Sequence, residues 1–137
     1  GLAWNHIDRV VLVLKAVPSR VGEGPLPGEM SVDEQDRLGI AEYGVTTGRR
    51  RRKTREIPWD YVSEAVMLNG PTDIALTFCD HYDPDYSNPC EPTDAVRALI
   101  DEVEEKTGIP VTIIESGKSM AAVCEWGQPA GRPTRTP

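Results

Sequence analysis

Apolar residues are concentrated in three short runs that predict buried β-strands. The first is the continuous Val and Leu run at residues 10–14, within a predicted strand at residues 9–17. Because no polar residue alternates with the apolar ones, this pattern is typical of a strand buried on both faces. The second and third runs lie at residues 74–77 and 111–114. Three strands of this kind favour a parallel sheet.

Polar residues with capping potential separate these runs and predict helices. Ser31 and Glu34 form a capping-box pair that opens a short helix ending towards Leu38 or Tyr43. A longer helix is predicted over residues 58–68, where Pro starts it and the sequence Asn-Gly-Pro stops it.

The clearest helical pattern follows the sequence Pro-Thr-Asp at residues 92–94. Apolar residues recur there at intervals of three and four, which predicts an amphipathic helix that Gly108 ends. The order strand, helix, strand, helix, strand predicts an α/β fold with a mostly parallel sheet and packed helices. The predicted domain covers residues 1–125, and the Pro-, Gly-, Thr- and Arg-rich tail at residues 126–137 is predicted to be disordered.

Each predicted strand is followed by polar residues or glycines at its carboxyl end. Residues 17–20 follow the first strand, residues 77–80 the second and residues 115–117 the third. Ligands of parallel α/β sheets gather at this edge, so we expect the three segments to form one crevice. The glycines at residues 21–28 allow close backbone approach and make a further candidate binding loop.

Composition favours one acidic domain whose main partner is neither nucleic acid nor membrane. The chain has 137 residues, a net charge of −7 and an apolar fraction of 39% with one Phe. A surface of this sign repels duplex nucleic acid and anionic membranes. The longest apolar run, at residues 10–14, is far shorter than the roughly 20 residues that span a bilayer. Gly1 in place of Met predicts the interior of a longer polypeptide.

The strongest departure from this acidic character is a basic loop. Six of the seven residues at 49–55 are basic, so the rest of the chain, with its net charge of −7, sums to −13. The hydroxyls of Thr46 and Thr47 and the guanidinium of Arg49 suit a carboxylate, and Gly48 lets the loop fold over its ligand.

A second anion would fit the same loop. Arg51 lies on the same side as Arg49 if the segment is extended. A solvated basic loop or an unspecific nucleic-acid patch is the alternative interpretation of the arginine run taken by itself.

The ends of the second and third strands suit a purine base. Asp80 is placed to accept two adjacent N–H donors, the pair that N1 and the exocyclic amine of guanine present and that adenine lacks. Alternatively, Asp80 caps a helix or turn, and Phe78 packs in the core rather than stacking on a base. Ser116 and Gly117 suit the edge of a purine ring or form a plain turn.

The cysteines predict a reducing environment. Cys79, Cys90 and Cys124 are odd in number and lack Cys-x-x-Cys spacing, and no signal-like start precedes them. We therefore predict reduced thiols in a cytoplasm and no disulfide. His81 and Asp83 add further metal-ligand types, but the spacing fits no closed zinc pattern. Buried thiols and a surface His81 are predicted instead, with no metal held by this chain.

Three ordered motifs resemble the C-terminal part of the adenylosuccinate synthetase family. They are Lys-Ala-x-x-x-Arg-Val-Gly-Glu-Gly-Pro at residues 15–25, Glu-Tyr-Gly-Val-Thr-Thr-Gly-Arg-Arg-Arg-Arg at 42–52, and Ala-Val-Met-Leu-Asn-Gly at 65–70. Compact archaeal members and phage relatives that act on 2-aminopurine deoxynucleotides are the most similar. The resemblance covers residues 7–118 and implies the C-terminal portion of a P-loop-NTPase-like purine ligase.

The resemblance implies a cytoplasmic enzyme of purine biosynthesis that joins aspartate to IMP. GTP phosphorylates the purine 6-oxygen, and the aspartate amine then displaces it. A 2-amino purine nucleotide as acceptor and ATP or dATP as donor are alternatives. The full form would use Mg²⁺ and form a homodimer. The implied substrate-binding residues are Val45, Thr46, Thr47, Gly48, Arg49, Arg50 and Arg51. The implied nucleotide-binding residues are Arg49, Arg51, Phe78, Cys79, Asp80, Glu115, Ser116 and Gly117.

Two departures from the family pattern bear most on the predicted site. The sequence Phe-Cys-Asp at residues 78–80 replaces the usual Lys-Leu-Asp, so the base-reading Asp is kept and the Lys is not. The family's glycine-rich phosphate loop, Mg²⁺-binding Asp and catalytic His are absent from the 137 residues. We therefore expect this chain to be inactive without the N-terminal half of the enzyme, as a fragment or as one chain of a split enzyme. A noncatalytic nucleotide- or RNA-binding module derived from the family is the alternative.

Overall fold

The computed structural model describes residues 6–129. In chain order its strands are β1 (Val11–Lys15), β2 (Ser19–Arg20), β3 (Arg52–Lys53), β4 (Asp73–Thr77), β5 (Val111–Glu115) and β6 (Val123–Glu125). Its helices are α1 (Val32–Arg37), α2 (Trp59–Asn69), α3 (Cys79–Tyr82) and α4 (Asp94–Thr107).

The main sheet has the strand order β1-β4-β5-β6. Strands β1, β4 and β5 are parallel, which confirms the predicted mostly parallel α/β sheet. Strand β6 runs antiparallel to β5 and was not predicted, because three residues are too few to show a period of two. Strands β2 and β3 form a separate antiparallel pair, so part of the basic run is strand rather than loop.

The main core lies between one face of the sheet and the apolar side of α4. Leu12 and Leu14 of β1 pack at its margin. Val13 points to the opposite face and is 66% exposed, so the prediction that this strand is buried on both faces is wrong there. An apolar run predicts a strand, but it does not show whether another element packs on both faces of that strand. The buried strand and helix residues of the core are Ile74, Leu76, Cys79, Val96, Leu99, Ile100, Val103, Val111, Ile114 and Cys124.

The local helix signals are confirmed with small corrections. The Ser31 hydroxyl accepts the amide N–H of Glu34 at 3.1 Å and so caps α1. This helix ends at Arg37, so the nearer predicted end is correct and Tyr43 is not. Helix α2 ends before Gly70, whose φ of +52° is the left-handed conformation that a glycine stop requires.

Thr93 caps α4 and ties it to the preceding loop. Its hydroxyl accepts the amide N–H of Val96 at 3.3 Å and donates to Oδ2 of Asp83 at 2.5 Å. Replacing Thr93 with alanine is expected to lower the free energy of unfolding by about 1 kcal/mol, because both bonds are lost. Urea denaturation measures this change. Ser63→Ala, at an exposed position of α2, is the control and should change it by less than about 0.5 kcal/mol. Equal losses in the two variants would contradict the capping role.

The cysteines are not all reduced. Cys90 and Cys124 form a disulfide with their Cα atoms 5.4 Å apart, and only Cys79 is a free, buried thiol among residues 6–129. The prediction of three thiols and no disulfide is therefore wrong. The paired residues are 34 positions apart, and only the fold brings the loop before α4 against β6.

The packed structure continues beyond residue 125. The amide N–H of Trp126 donates to the carbonyl of Thr112 at 2.7 Å, and its ring packs against the core. The guanidinium of Arg97 lies 5.2 Å from the centroid of that ring. The predicted disordered tail therefore does not begin at Trp126, and its residues 130–137 lie outside the described residues. No helix between residues 6 and 129 has the length and apolar character needed to cross a membrane.

Candidate functional site

The basic loop is the turn of a hairpin. The amide N–H of Gly44 donates to the carbonyl of Arg49 at 2.9 Å, and that of Arg51 donates to the carbonyl of Glu42 at 2.7 Å. Gly48, with a φ of +62°, closes the turn by donating to the carbonyl of Gly44 at 2.8 Å. The backbone thus holds the tip of the hairpin in a defined shape.

The hairpin tip is open to solvent. The hydroxyl of Thr47 accepts the amide N–H of Arg49 at 3.3 Å, which holds this hydroxyl inside the turn. Within residues 6–129, the guanidinium of Arg49 takes part in no ion pair. The tip therefore presents a cation whose charge is not neutralised by a neighbour. Its exposed residues are Val45, Thr46, Thr47, Gly48 and Arg49.

The basic residues that follow alternate between two sides of the hairpin's return segment. Arg50 donates to Oδ1 of Asp36 at 2.7 Å and so holds the segment against α1. Arg51 points the other way and donates through Nε to the hydroxyl of Ser19 at 3.0 Å. Side chains of extended backbone alternate in this manner, and the prediction that Arg49 and Arg51 share a side depends on this alternation reaching back to Arg49. The structure places Arg50 away from Arg51.

Arg52 lies on the side of Arg50. It donates to both carboxylate oxygens of Glu29, at 2.6 and 2.5 Å, and to the carbonyls of Gly22 and Gly24 at 3.0 and 2.8 Å. The glycine-rich loop that the sequence singled out is thus held against the arginine run.

Glu42 gathers three cations at the base of the hairpin. Its carboxylate accepts Lys15 Nζ at 3.0 Å and Lys53 Nζ at 2.8 Å, and Arg51 Nε lies 3.4 Å away. Burial would raise the pKa of this carboxyl, but the hydrogen bonds from Lys53 and Lys15 outweigh it and lower the pKa to about 2. Three cations around one carboxylate leave an excess of positive charge beside the loop.

The chain leaves β4 through Phe78, which is held in the left-handed region. Its φ of +60° is the only positive value at a non-glycine residue in the described part of the chain. Such a conformation is costly for a bulky residue and clusters at functional sites. The amide N–H of Phe78 donates to Oε2 of Glu115 at 3.2 Å, which joins the ends of β4 and β5.

The two residues after Phe78 differ sharply in exposure. The Cys79 thiol lies in the core, where burial raises its pKa to about 12, so its side chain is not available at the sheet edge. The carboxylate of Asp80 is partly exposed and accepts no hydrogen bond from residues 6–129. Asp80 lies in the first turn of α3, whose N-cap is Phe78, so its side chain does not cap this helix, and no donor within the described residues bonds its carboxylate.

Ser116 follows β5 and is bound to neighbouring loops. Its hydroxyl donates to the carbonyl of Ser87 at 3.2 Å, and its amide donates to the carbonyl of Ala122 at 2.8 Å. Gly117 stands next to it, where an added Cβ would lie 3.6 Å from the side chain of Ala122. These contacts place the third predicted segment beside the loop before α4.

Direct contacts join the strand ends into one site. Lys15 Nζ lies 4.0 Å from the centroid of the Phe78 ring, and Lys53 Nζ lies 5.4 Å from it. Lys53 Nζ also lies 3.2 Å from Nδ1 of His81 on α3. Together with the contact from Phe78 to Glu115, these distances bring the carboxyl ends of β1, β4 and β5 together at one edge of the sheet.

Sequence reasoning missed the charged residues that connect the hairpin to the ends of the strands. Lys15 and Glu42 stand inside the quoted motifs, and a lysine that ends a buried strand was the available signal. Lys53 is wholly buried, although the sequence shows it as one more basic residue of the run. His81 is partly buried rather than a surface residue, and burial together with Lys53 lowers its pKa. Within residues 6–129 no group of His, Cys, Asp or Glu is arranged to hold a metal ion.

The fold and this edge define an α/β protein whose open cationic loop stands at the carboxyl end of a mostly parallel sheet. A family model described as adenylosuccinate synthetase matches residues 1–85. The adenylosuccinate synthetase of Methanococcus vannielii is 46% identical over 127 residues, which cover 88% of this chain and 36% of that protein. That of Thermococcus onnurineus is 41% identical and covers 91% and 38%. This chain belongs to the adenylosuccinate synthetase family, and it spans a little over a third of the length of these relatives.

Two solved structures share the fold. Fully ligated adenylosuccinate synthetase from Plasmodium falciparum superposes with a TM-score of 0.73 at 20% identity, covering 90% of this chain and 41% of that one. Succinoaminodeoxyadenylate synthetase of cyanophage S-2L, bound to dGMP and dATP, gives 0.60 at 23% identity, with coverage of 88% and 34%. These likenesses confirm the predicted fold class.

Proposed function

We propose that this chain is the aspartate- and nucleotide-binding part of an adenylosuccinate synthetase-type ligase. The complete enzyme would join aspartate to IMP or a 2-amino purine nucleotide, with GTP or an adenine triphosphate as donor. The observation that carries the proposal is the hairpin tip, where Arg49 has no ion-pair partner within residues 6–129 and the exposed residue Thr46 lies close to it in the turn.

The aspartate would bind at this tip. A guanidinium binds a carboxylate through two parallel N–H donors, and the hydroxyl of Thr46 adds a further donor. Arg51 is already turned towards Ser19 and Glu42. Its guanidinium is therefore not free to bind a ligand directly. Arg51 would instead attract the nucleotide through the excess positive charge around Glu42.

The base of the triphosphate would bind at the ends of β4 and β5. The Asp80 carboxylate accepts no hydrogen bond from the part of the chain that the structure describes, and a guanine offers two N–H groups in the required arrangement. The aromatic ring of Phe78 replaces the family's lysine, and the cations above it come from Lys15 and Lys53. The side chain of Cys79 takes no part, and only its backbone is available.

The phosphate-binding and catalytic groups would come from the rest of the enzyme. The 137 residues carry no glycine-rich phosphate loop of the family type. Residues 6–129 also offer no cluster suited to Mg²⁺, so we assign that ion no ligand among them. A phosphoryl transfer depends on positioning and charge stabilisation, and this part would contribute the positioning of aspartate and base.

Replacing Arg49 with alanine is expected to weaken aspartate binding at least about 100-fold, because a charge-assisted bidentate contact is lost. Calorimetric titration of aspartate, IMP, dGMP, GTP, ATP and dATP into the chain measures the dissociation constants. Because Arg49 would contact the aspartate, the triphosphate should be affected less.

The matched control is Arg55→Ala. Arg55 is an exposed arginine of the same run, and its guanidinium is paired with Glu34 outside the hairpin. This variant should bind aspartate within about twofold of the parent. The proposal is wrong if none of these ligands binds the parent chain, either alone or mixed with the N-terminal part of a related synthetase.

A further inference from the structure

Lys53 is buried where an apolar side chain would be expected. Its exposure is 0%, whereas the arginines before it remain partly exposed. Taking an ammonium out of water is unfavourable, and well-packed apolar residues often serve a core equally well. The position of this lysine therefore calls for an explanation other than stability.

One side of Lys53 holds the hairpin. Its Nζ donates to Oε2 of Glu42 at 2.8 Å, and the carbonyl of Glu42 accepts the amide N–H of Arg51 at 2.7 Å. These two bonds lie directly below the tip that carries Arg49. A movement of the hairpin base would therefore move the Glu42 carboxylate and change its contact with Lys53.

The other side of Lys53 holds α3. Its Nζ lies 3.2 Å from Nδ1 of His81, the residue after Asp80. An ammonium is only a donor, so Nδ1 of His81 must be the acceptor and the imidazole is neutral, with its proton on Nε2. The edge of the same imidazole meets the Phe78 ring, with 4.9 Å between centroids.

We propose that Lys53 is a positioning residue that couples the hairpin tip to α3, so that a ligand at one site raises affinity at the other. A carboxylate ligand at the tip would fix the hairpin base, and with it the Glu42–Lys53–His81 chain of contacts. Asp80 would then be held ready for the base. The coupling is reciprocal, since two linked binding equilibria must change each other by the same factor. This inference rests on the proposed function of both sites.

The test is a double titration of the chain by calorimetry. GTP is titrated without aspartate and with aspartate at saturation, and ATP and dATP are run in parallel. In the parent chain we expect aspartate to lower the dissociation constant of the triphosphate about tenfold. In Lys53→Met, which keeps similar volume, we expect less than a twofold change. The readout is the ratio of the two dissociation constants of the triphosphate, without and with aspartate. Loss of the Lys53 charge beside the base would change both constants by the same factor and leave this ratio unchanged, so a merely structural role would not abolish it.

Two histidine variants test the same contact if Lys53→Met does not fold. His81→Leu breaks the link from α3 and leaves the pair between Lys53 and Glu42 intact, so it should also abolish the coupling. His81→Asn retains a hydrogen-bond acceptor and should restore part of it. Lys106→Met removes an exposed lysine of α4 and should retain the full tenfold effect.

The outcomes separate this inference from the proposed function. Tenfold coupling that survives in both Lys53→Met and His81→Leu overturns the role of Lys53. A parent chain that binds both ligands independently overturns the coupling and leaves the proposed function standing. A parent chain that binds neither ligand overturns both.

Discussion

Asp73→Ala is expected to lower the free energy of unfolding by about 3 kcal/mol, because it removes a buried carboxylate on which several hydrogen-bond donors converge. The Asp73 side chain is fully buried at the start of β4. It accepts Arg9 Nε at 2.9 Å and Nη2 at 2.5 Å, the Thr72 hydroxyl at 2.7 Å, and the hydroxyl of Thr112 on β5. The variant would leave the guanidinium and two hydroxyls without their shared acceptor.

An exposed pair of the same residue types is the control for Asp73. Asp36 pairs with Arg50 at 2.7 Å, and its side chain is 56% exposed. Asp36→Ala should cost less than about 1 kcal/mol, because water screens and replaces an exposed ion pair. Chemical denaturation of both variants gives the comparison, and similar losses would contradict the importance of the buried carboxylate.

The same carboxylate makes stability depend on acid. Hydrogen bonds from Arg9, and then from Thr112 and Thr72, outweigh burial and lower the pKa of Asp73 to about 2. An unfolded Asp has a pKa of about 3.9, so the stabilisation is complete above about pH 5 and is lost as the pH falls towards 2. The parent should lose about 2 kcal/mol more than Asp73→Asn over this range. Because the side chain of Arg9 is 40% exposed, salt should reduce the difference.

Reduction of the disulfide is expected to lower the free energy of unfolding by up to about 4 kcal/mol. Cys90 and Cys124 are 34 positions apart, and cross-linking them restricts the unfolded chain over the whole segment that contains α4 and β5. The bond also attaches the loop before α4 to β6, the short strand at the edge of the sheet. Urea denaturation with and without a thiol reductant measures the loss.

Cys90→Ser supplies the control for the reductant. This variant should be less stable than the oxidised parent by the same amount, and the reductant should not change it further. Thiol titration of the unfolded, unreduced parent should find one free thiol, Cys79. Three reactive thiols with unchanged stability would show instead that the cysteines are reduced, as their number and spacing predicted.

Local signals in the sequence were sufficient for most of the framework. The capping residues Ser31 and Thr93 and the stop at Gly108 act within a few residues, so their effect does not depend on the rest of the fold. The apolar runs likewise located the three parallel strands. Strand β6 and α3 were missed, because three or four residues are too short to show a period.

The candidate site divides in the same way. The tip with Thr46, Gly48 and Arg49 was predicted, since residue type and neighbours along the chain define a turn that suits an anion. The sequence also predicted that the strand ends would meet, because parallel strands bring their carboxyl ends to one edge. The sequence did not show which arginines face that edge. The alternation of side chains along the extended backbone decides it, since Arg50 turns to α1 and Arg51 to Ser19.

Patterns along the chain thus determined which elements form, at which edge of the sheet the candidate site lies and to which family the chain is similar. Only the tertiary structure decided that Lys53 is buried against Glu42 and His81, and that Cys90 meets Cys124. The physical reason is distance along the chain. A residue's exposure and charge partners depend on side chains many positions away, and no local pattern records which of them the folded backbone brings within a few ångströms.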